Sequence, residues 1–390
     1  MKSATGAILV ILGSVLIVAT MLWSTVFVGM LLKVPGDIDT ETDYEGEMTW
    51  YVDPATGRSL AAGNELEMPL GVSKDLESLD SAYTSSTAVL EEEMVFSIAG
   101  EDKAPLSFVY VVDRNNMKNI DDARAYAFSE EYGVDRSGAY YPLFPLDLNE
   151  DETYPVWKNE INAPVVASFI GEDERAGITV YSYEMTVEEE RADEGYVKSF
   201  DLATEISLED LEMQLSATGV DVDGLFALAG QVMSAEDLQE MMGYAQQPIP
   251  IDYAYSCVME MCIEPSTGTV VDLYRNEEML SMQLDYEGLT GLFSLLVKYQ
   301  QDPVLGPEIE RLSELQARVV QAEPQKVVAY EYSQTDGSVN RNMRDARDGK
   351  NLLKLVRLWL PIIMTVVGVL ILVLGLALLS SARRDRRMRA

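Results

Sequence analysis

Histidine is absent from this 390-residue chain. Its absence removes the commonest general base, a principal zinc ligand and any ordinary serine–histidine triad. Cysteine occurs only at Cys257 and Cys262. On one strand that spacing puts the two thiols on opposite faces, about 16 Å apart and beyond disulfide reach. A bridge would need a bulge or turn between them, so two buried thiols are the favoured expectation. Basic residues are scarce, 29 against 65 acidic ones, for a formal net charge of −36. A surface of that sign repels nucleic acid, whose binding needs a basic footprint.

Phosphate-loop glycines, a nucleophile elbow and zinc-ligand spacings are also missing. Two acidic stretches imitate calcium loops without completing one. After Asp147, Asn149 and Asp151, an EF-hand needs glycine and later glutamate where this chain has Glu152 and Lys158. The stretch around Asp221 and Asp223 lacks the first acid and ends at Gly230. No catalytic residue, metal or cofactor is expected, and the chain does not read as an enzyme.

What is present begins with two uncharged apolar runs, Gly6 to Leu32 and Leu358 to Ser380. Each exceeds the roughly 20 residues needed to cross a bilayer. The first is too long for a signal-peptide core and lacks a small-residue cleavage site, so both read as retained anchors. The expected order is a cytoplasmic end (1–5), a span (6–32), an acidic α+β domain (33–340), a basic juxtamembrane helix (341–357), a span (358–380) and a basic tail (381–390). The basic tail favours a plasma-membrane protein with both termini cytoplasmic and the domain outside, although basic residues flank the second span on both sides. Gly6 and Gly13 share a seven-residue spacing with Gly368 and Gly375. In an antiparallel helix pair these small residues would let the backbones approach. Arg347, Lys350, Lys354 and Arg357 fall within about 80° on one helix face. Such a stripe suits lipid phosphates or simple snorkelling at the bilayer boundary.

Between the anchors, β-branched and aromatic runs separated by Gly, Pro and Asp read as an antiparallel sheet. They are 48–53, 89–98, 106–113, 165–170, 179–187, 251–263, 270–275 and 326–332. A change of period over about 207–244 marks inserted helices, one opened by Ser234 as its cap. Further helices are expected at 289–301 and 307–322. The fold class is therefore an α+β ectodomain: a large curved antiparallel sheet or half-barrel with inserted helices, flanked by transmembrane helices. Methionine is concentrated in the helical third, with Met213, Met233, Met241 and Met242 as a candidate apolar lid. Ordinary core filling is the competing reading.

One phrase is written twice, Asp53-Pro54-Ala55-Thr56-Gly57 and Glu264-Pro265-Ser266-Thr267-Gly268. Proline fixes φ, the acid can cap the turn and glycine supplies the left-handed residue, so both copies read as hairpin turns.

Several phrases, in order along the chain, resemble the PorA-like porin family of mostly actinobacterial membrane proteins. They are the N-terminal anchor, Tyr51-Val52-Asp53-Pro54, Tyr140-Tyr141-Pro142-Leu143-Phe144-Pro145, Thr153-Tyr154-Pro155-Val156-Trp157, Gly177-Ile178-Thr179-Val180-Tyr181 and Leu358-Trp359-Leu360-Pro361. The resemblance implies an exported domain tethered at both ends, linked in some members to glycolipid movement in the envelope. The topology is also similar to class B scavenger receptors, and the strand-Asp-Pro-x-Thr-Gly-strand phrase to periplasmic lipoprotein-carrier half-barrels. The expected function is binding, and transfer, of lipid or glycolipid in the envelope. The alternative is a scaffold that assembles with surface-layer or membrane-protein partners.

Overall fold

The computed structural model describes residues 2–52, 59–61, 68–79, 82–207, 222–284, 290–320 and 324–387. Its strands are β1 (Asp39–Val52), β2 (Ser59–Ala61), β3 (Pro69–Ser78), β4 (Thr87–Ile98), β5 (Glu101–Asp102), β6 (Leu106–Asp113) and β7 (Tyr126–Gly133). They continue with β8 (Tyr154–Lys158), β9 (Ala163–Arg175), β10 (Ile178–Arg191), β11 (Glu205–Ile206), β12 (Ile249–Glu264), β13 (Thr269–Leu284) and β14 (Gln325–Gln334). All pair antiparallel in one 14-stranded sheet, whose main path runs β7-β6-β4-β3-β1-β14-β13-β12-β10-β9-β8. The sheet curls into a half-barrel.

Strand β1 shows why the sheet has a wet outside. Tyr44 and Met48 point into the core, while Asp39, Glu41, Asp43, Glu45 and Glu47 occupy the alternate positions and face outward. A two-residue period thus turns an acidic stretch into a strand, and the same acids rule out a lipid-facing band on this face. The inner face is aromatic: Phe96, Tyr196, Phe200, Tyr255 and Tyr330 are buried in one cluster with edge-on and tilted ring contacts.

The two ends of the curled sheet are tied by short segments. Asn119 bridges antiparallel to Val112 of β6, and Tyr140 bridges parallel to Val156 of β8. Between them the Asn119 N–H donates to Ala139 O (2.8 Å), the Gly138 N–H donates to Asn119 O (2.9 Å), and the Asn119 side chain donates to Ala139 O and Tyr141 O (3.1 and 2.7 Å). Backbone pairing therefore runs round the ring. A ring wider than eight strands leaves more interior than its own side chains fill.

The N-terminal helix (Lys2–Leu22) continues through a π-turn (Trp23–Phe27) to Leu31. A stalk helix (Asp336–Lys354) leads through a second π-turn (Leu355–Trp359) into the C-terminal helix (Leu360–Arg387). Both ends of the chain are long and apolar enough to cross a membrane, over Ala4–Phe27 and within Asp336–Ala382. The two π-turns meet where the Trp23 indole N–H donates to Val356 O at 3.1 Å.

Four helices, Val222–Val232, Ala235–Ala245, Thr290–Val297 and Gly306–Val320, build a second core around Leu225, Ala229, Met233, Met241, Leu295 and Ile309. Ser234 caps the second of them by accepting from the Asp237 N–H at 3.1 Å. Cys257 and Cys262 are both buried and free. They lie on opposite faces of β12, Cys257 in the main core and Cys262 in a small cluster under the stalk helix with Val271, Met343 and Ala346.

Candidate functional site

A cavity of about 560 Å³ lies inside the curl. Its walls carry Met117, Leu143, Phe144, Met185, Met259, Met261 and Leu273. Its mouth lies where both membrane helices leave the domain: Leu32, Lys33, Val34 and Pro35 line it on one side, and Gly349, Leu352 and Leu353 on the other. The rim is fixed by backbone. The Ser78 N–H donates to Ile38 O (2.8 Å), the Ser78 hydroxyl to Gly36 O (2.8 Å) and the Val34 N–H to Arg114 O (3.0 Å).

The later copy of the doubled phrase belongs to this mouth. It joins β12 to β13 with Glu264 opposite Thr269, and Thr267, Gly268 and Thr269 line the cavity. Glu264 is fully buried, and one of its oxygens accepts from the Thr267 N–H (2.8 Å) and hydroxyl (3.0 Å). Gly268 has φ +70, and a Cβ there would stand 2.5 Å from Phe144 O, so the turn needs glycine twice over. In the earlier copy Val52 pairs with Ser59 across the connection, which makes it a hairpin, but 53–58 lie outside the described residues.

Three of the four residues of the basic stripe bond to the domain, although Arg347 remains exposed. Lys350 Nζ is 2.9 Å from the second oxygen of Glu264, Arg357 donates to both oxygens of Asp147 (2.7 Å each), and Arg347 donates to Ala176 O in the β9–β10 turn. Lys354 is exposed. These contacts strap the stalk helix along the rim. Of the methionines proposed as a lid, Met233 and Met241 fill the separate helical core and Met242 is exposed. None of these three lines the cavity, and Met213 lies outside the described residues. The cavity's own methionines come instead from β10 (Met185), β12 (Met259 and Met261) and the segment after β6 (Met117). In the helix pair Gly13 faces Gly368 and Gly6 faces Gly375; a Cβ on Gly13 would come within 2.7 Å of Gly368 O, and one on Gly6 within 3.0 Å of Gly375 O.

Below the apolar walls the cavity has a charged floor. Lys74 of β3, Glu92 of β4, Tyr141 and, from β8 onward, Lys158, Asn159 and Glu160 all line it. The Tyr141 hydroxyl donates to both Glu92 oxygens (3.0 and 2.9 Å) and accepts from Lys74 Nζ (3.3 Å). Lys158 pairs with Glu160 (3.1 Å) and Glu278 (3.5 Å), and Glu278 accepts from the hydroxyls of Tyr196 and Tyr330 (2.9 and 2.6 Å). Burial pushes the Glu92 carboxyl up, against the pull of Lys74 and the Tyr141 hydrogen bond. Burial is the largest single influence on Lys74 and Lys158 and opposes their charge, yet Glu92 together with Tyr44 and Glu160 in one case, and Glu160 together with Glu278 in the other, outweigh it, so both ammonium groups are raised. Burial pushes the Cys257 thiol up to about 11, which leaves it unreactive at neutral pH.

Two terminal apolar helices long enough to span a bilayer, a curled antiparallel sheet and a cavity with apolar walls between the points where the helices join the domain define the class: a membrane protein with a curled-sheet domain. The chain matches the family described as Porin PorA over residues 5–377, and it belongs to that family. A comparison with curated proteins finds no match. The acids on the outer face of β1 distinguish this sheet from a barrel that crosses the membrane by its strands.

Proposed function

We propose that the chain binds a lipid or glycolipid of the cell envelope in the cavity and passes it between the bilayer and acceptors beyond it. The observation that carries this reading is the cavity itself, apolar along its walls and opening beside Leu32 and Leu352, where both membrane helices enter the domain. A chamber of about 560 Å³ is of the size that takes a drug-sized or single-chain ligand. The protein acts by binding, without catalysis, at the plasma membrane. Both termini are cytoplasmic and the acidic domain lies outside. Its partners are membrane lipids, and nucleic acid is excluded by charge. Gentle extraction followed by lipid mass spectrometry tests the reading: one lipid class should co-purify near one per chain, and a lipid-free protein would overturn it.

A second reading, a scaffold for membrane-protein partners, draws on the helical module. Met242, Val297 and Val304 there are 50%, 57% and 47% exposed, apolar surface that serves no cavity. Cross-linking in whole cells would show a stoichiometric partner at this module if scaffolding is the role.

A further inference from the structure

Lining residues place the cavity's polar and apolar groups at different depths. Ser78, bonded to Ile38 and Gly36, marks the rim on β3. Lys74 lies four residues further in, about 13 Å along the strand, and Glu92 sits beside it, opposite Leu76. On β8, Tyr154 is tied to the rim loop by the Asn149 N–H at 2.8 Å, and Lys158 is again four residues, or about 13 Å, deeper. Beneath that level Tyr196, Phe200, Tyr255 and Tyr330 are buried together in the core. The charged groups therefore form a floor, the methionines and leucines a shaft, and the membrane-helix junctions a mouth.

The floor is chemically mixed. Two ammonium groups, Lys74 and Lys158, stand with the carboxylates Glu92 and Glu160, so neither an anionic nor a cationic head is favoured. Lys74 has three protons and Tyr141 as its one hydrogen-bond acceptor among the described residues, while both Glu92 oxygens retain lone pairs beyond the Tyr141 bond. On β14, in register with Tyr44 and Val72 at floor level, Gln334 is 7% exposed; its oxygen accepts from the Leu273 N–H (3.2 Å), and its Nε2 has no partner among the described residues. A buried amide donor without an acceptor is destabilising, and a ligand oxygen would satisfy it.

Resting on the lipid-binding reading, we infer that the ligand enters laterally from the bilayer and sits head inward. An uncharged, hydroxyl-bearing head bonds to Lys74, Glu92 and Lys158, Gln334 Nε2 holds a further oxygen of the head, and the acyl chain leaves through the mouth between Pro35 and Leu352. Hydroxyls both donate and accept, as this floor requires; a phosphate would face Glu92 and Glu160. Tail-first entry would press a methyl terminus against the four ionisable groups of the floor, two of them, Glu92 and Lys158, buried, the costlier arrangement.

The test uses the full chain in phosphatidylcholine vesicles with photoreactive dodecyl glucoside, carrying a diazirine on the sugar or at the chain end, and a matched dodecyl phosphate. Sugar-borne probe should label 69–78, 87–98 and 154–158, and the chain-end probe 32–35 and 349–353. Glu92→Gln should cut sugar-probe labelling about tenfold, equivalent to about 1.4 kcal/mol, and leave chain-end labelling in place. Circular dichroism checks that this variant folds, and the wild-type pattern stands independently of it. Reversed labelling, or equal floor labelling by the phosphate, overturns the head-inward assignment. Labelling from water but not from vesicles overturns lateral entry while leaving lipid binding intact. No labelling of the cavity by any probe removes the lipid-binding reading as well.

Discussion

Replacing Glu264 by glutamine tests the strap that holds the stalk helix to the cavity mouth. The carboxylate is fully buried and serves three groups: the Thr267 N–H (2.8 Å), the Thr267 hydroxyl (3.0 Å) and the Lys350 ammonium (2.9 Å). Glutamine keeps the shape and one acceptor. If its oxygen turns to Thr267, its NH₂ confronts Lys350; if the oxygen turns to Lys350, the turn loses its cap. Breaking a buried ion pair from one side costs about 3–5 kcal/mol. The Lys350 side chain retains 16% exposure and can recover some hydration, which places the expected loss near the lower end, about 3 kcal/mol. For a domain of this size that is about 6–12 °C in Tm, read by circular dichroism of the detergent-solubilised chain at fixed scan rate. Lys350→Met alone should cost at least as much, because it leaves the fully buried Glu264 carboxylate without its counter-charge. The double variant should be less damaging than the sum of the singles, by about 1–2 kcal/mol. Hydrogen exchange should rise over 345–353 as the helix lifts. A loss below about 0.5 kcal/mol, or strict additivity of the two changes, would refute the strap.

Other expectations follow from the same geometry. Asn119→Ala removes two buried hydrogen bonds at the seam of the ring and should cost about 1–3 kcal/mol, with hydrogen exchange rising at 138–141 before it rises in β12 or β13. Gly13→Val would drive a side chain into the Gly368 backbone, where even a Cβ has only 2.7 Å; cysteine cross-linking between the two helices should fall, and an unchanged yield would mean that the pair does not depend on this contact. Glu92, whose folded pKa is raised above its ordinary value of 4.5, holds its proton more tightly in the native state than in the unfolded one. Its contribution to stability is therefore present below that ordinary value and is lost as pH rises through the higher folded value. Glu92→Gln cannot ionise, so its stability relative to the wild type should improve between pH 4 and pH 7; parallel Tm profiles would contradict this sign.

Much of the architecture was legible in the sequence because it follows from periodicity. Leu106–Asp113 was readable as a strand without correction, and Ser234 as a helix cap. Strand β1 begins at Asp39, well before the expected start at Met48, because acids at alternate positions hid it. The seam was not legible: Asn119 and Tyr140 lie in irregular segments, and their pairing depends on a ring that only the tertiary fold creates. The Met-rich helices stood out by composition, but their partners are one another. Composition also concealed the floor, since charges are ordinarily counted as surface. Yet a signal existed. On β4 the inward positions read Ala88, Leu90, Glu92, Met94, Phe96 and Ile98, and on β3 they read Leu70, Val72, Lys74 and Leu76. One charge of each sign, on neighbouring strands and on otherwise apolar faces, marks a buried polar pair.

The chamber inside the curl is proposed as a lipid site open to the bilayer. An experimental map of the full chain in a lipid nanodisc addresses it most directly. The expected result is elongated density between Met185, Met261 and Leu273, reaching Lys74 and Glu92 at one end and continuous with bilayer lipid beside Leu352 at the other. A chamber closed by repacked side chains, or filled by ordered water hydrogen-bonded to the floor, would contradict it.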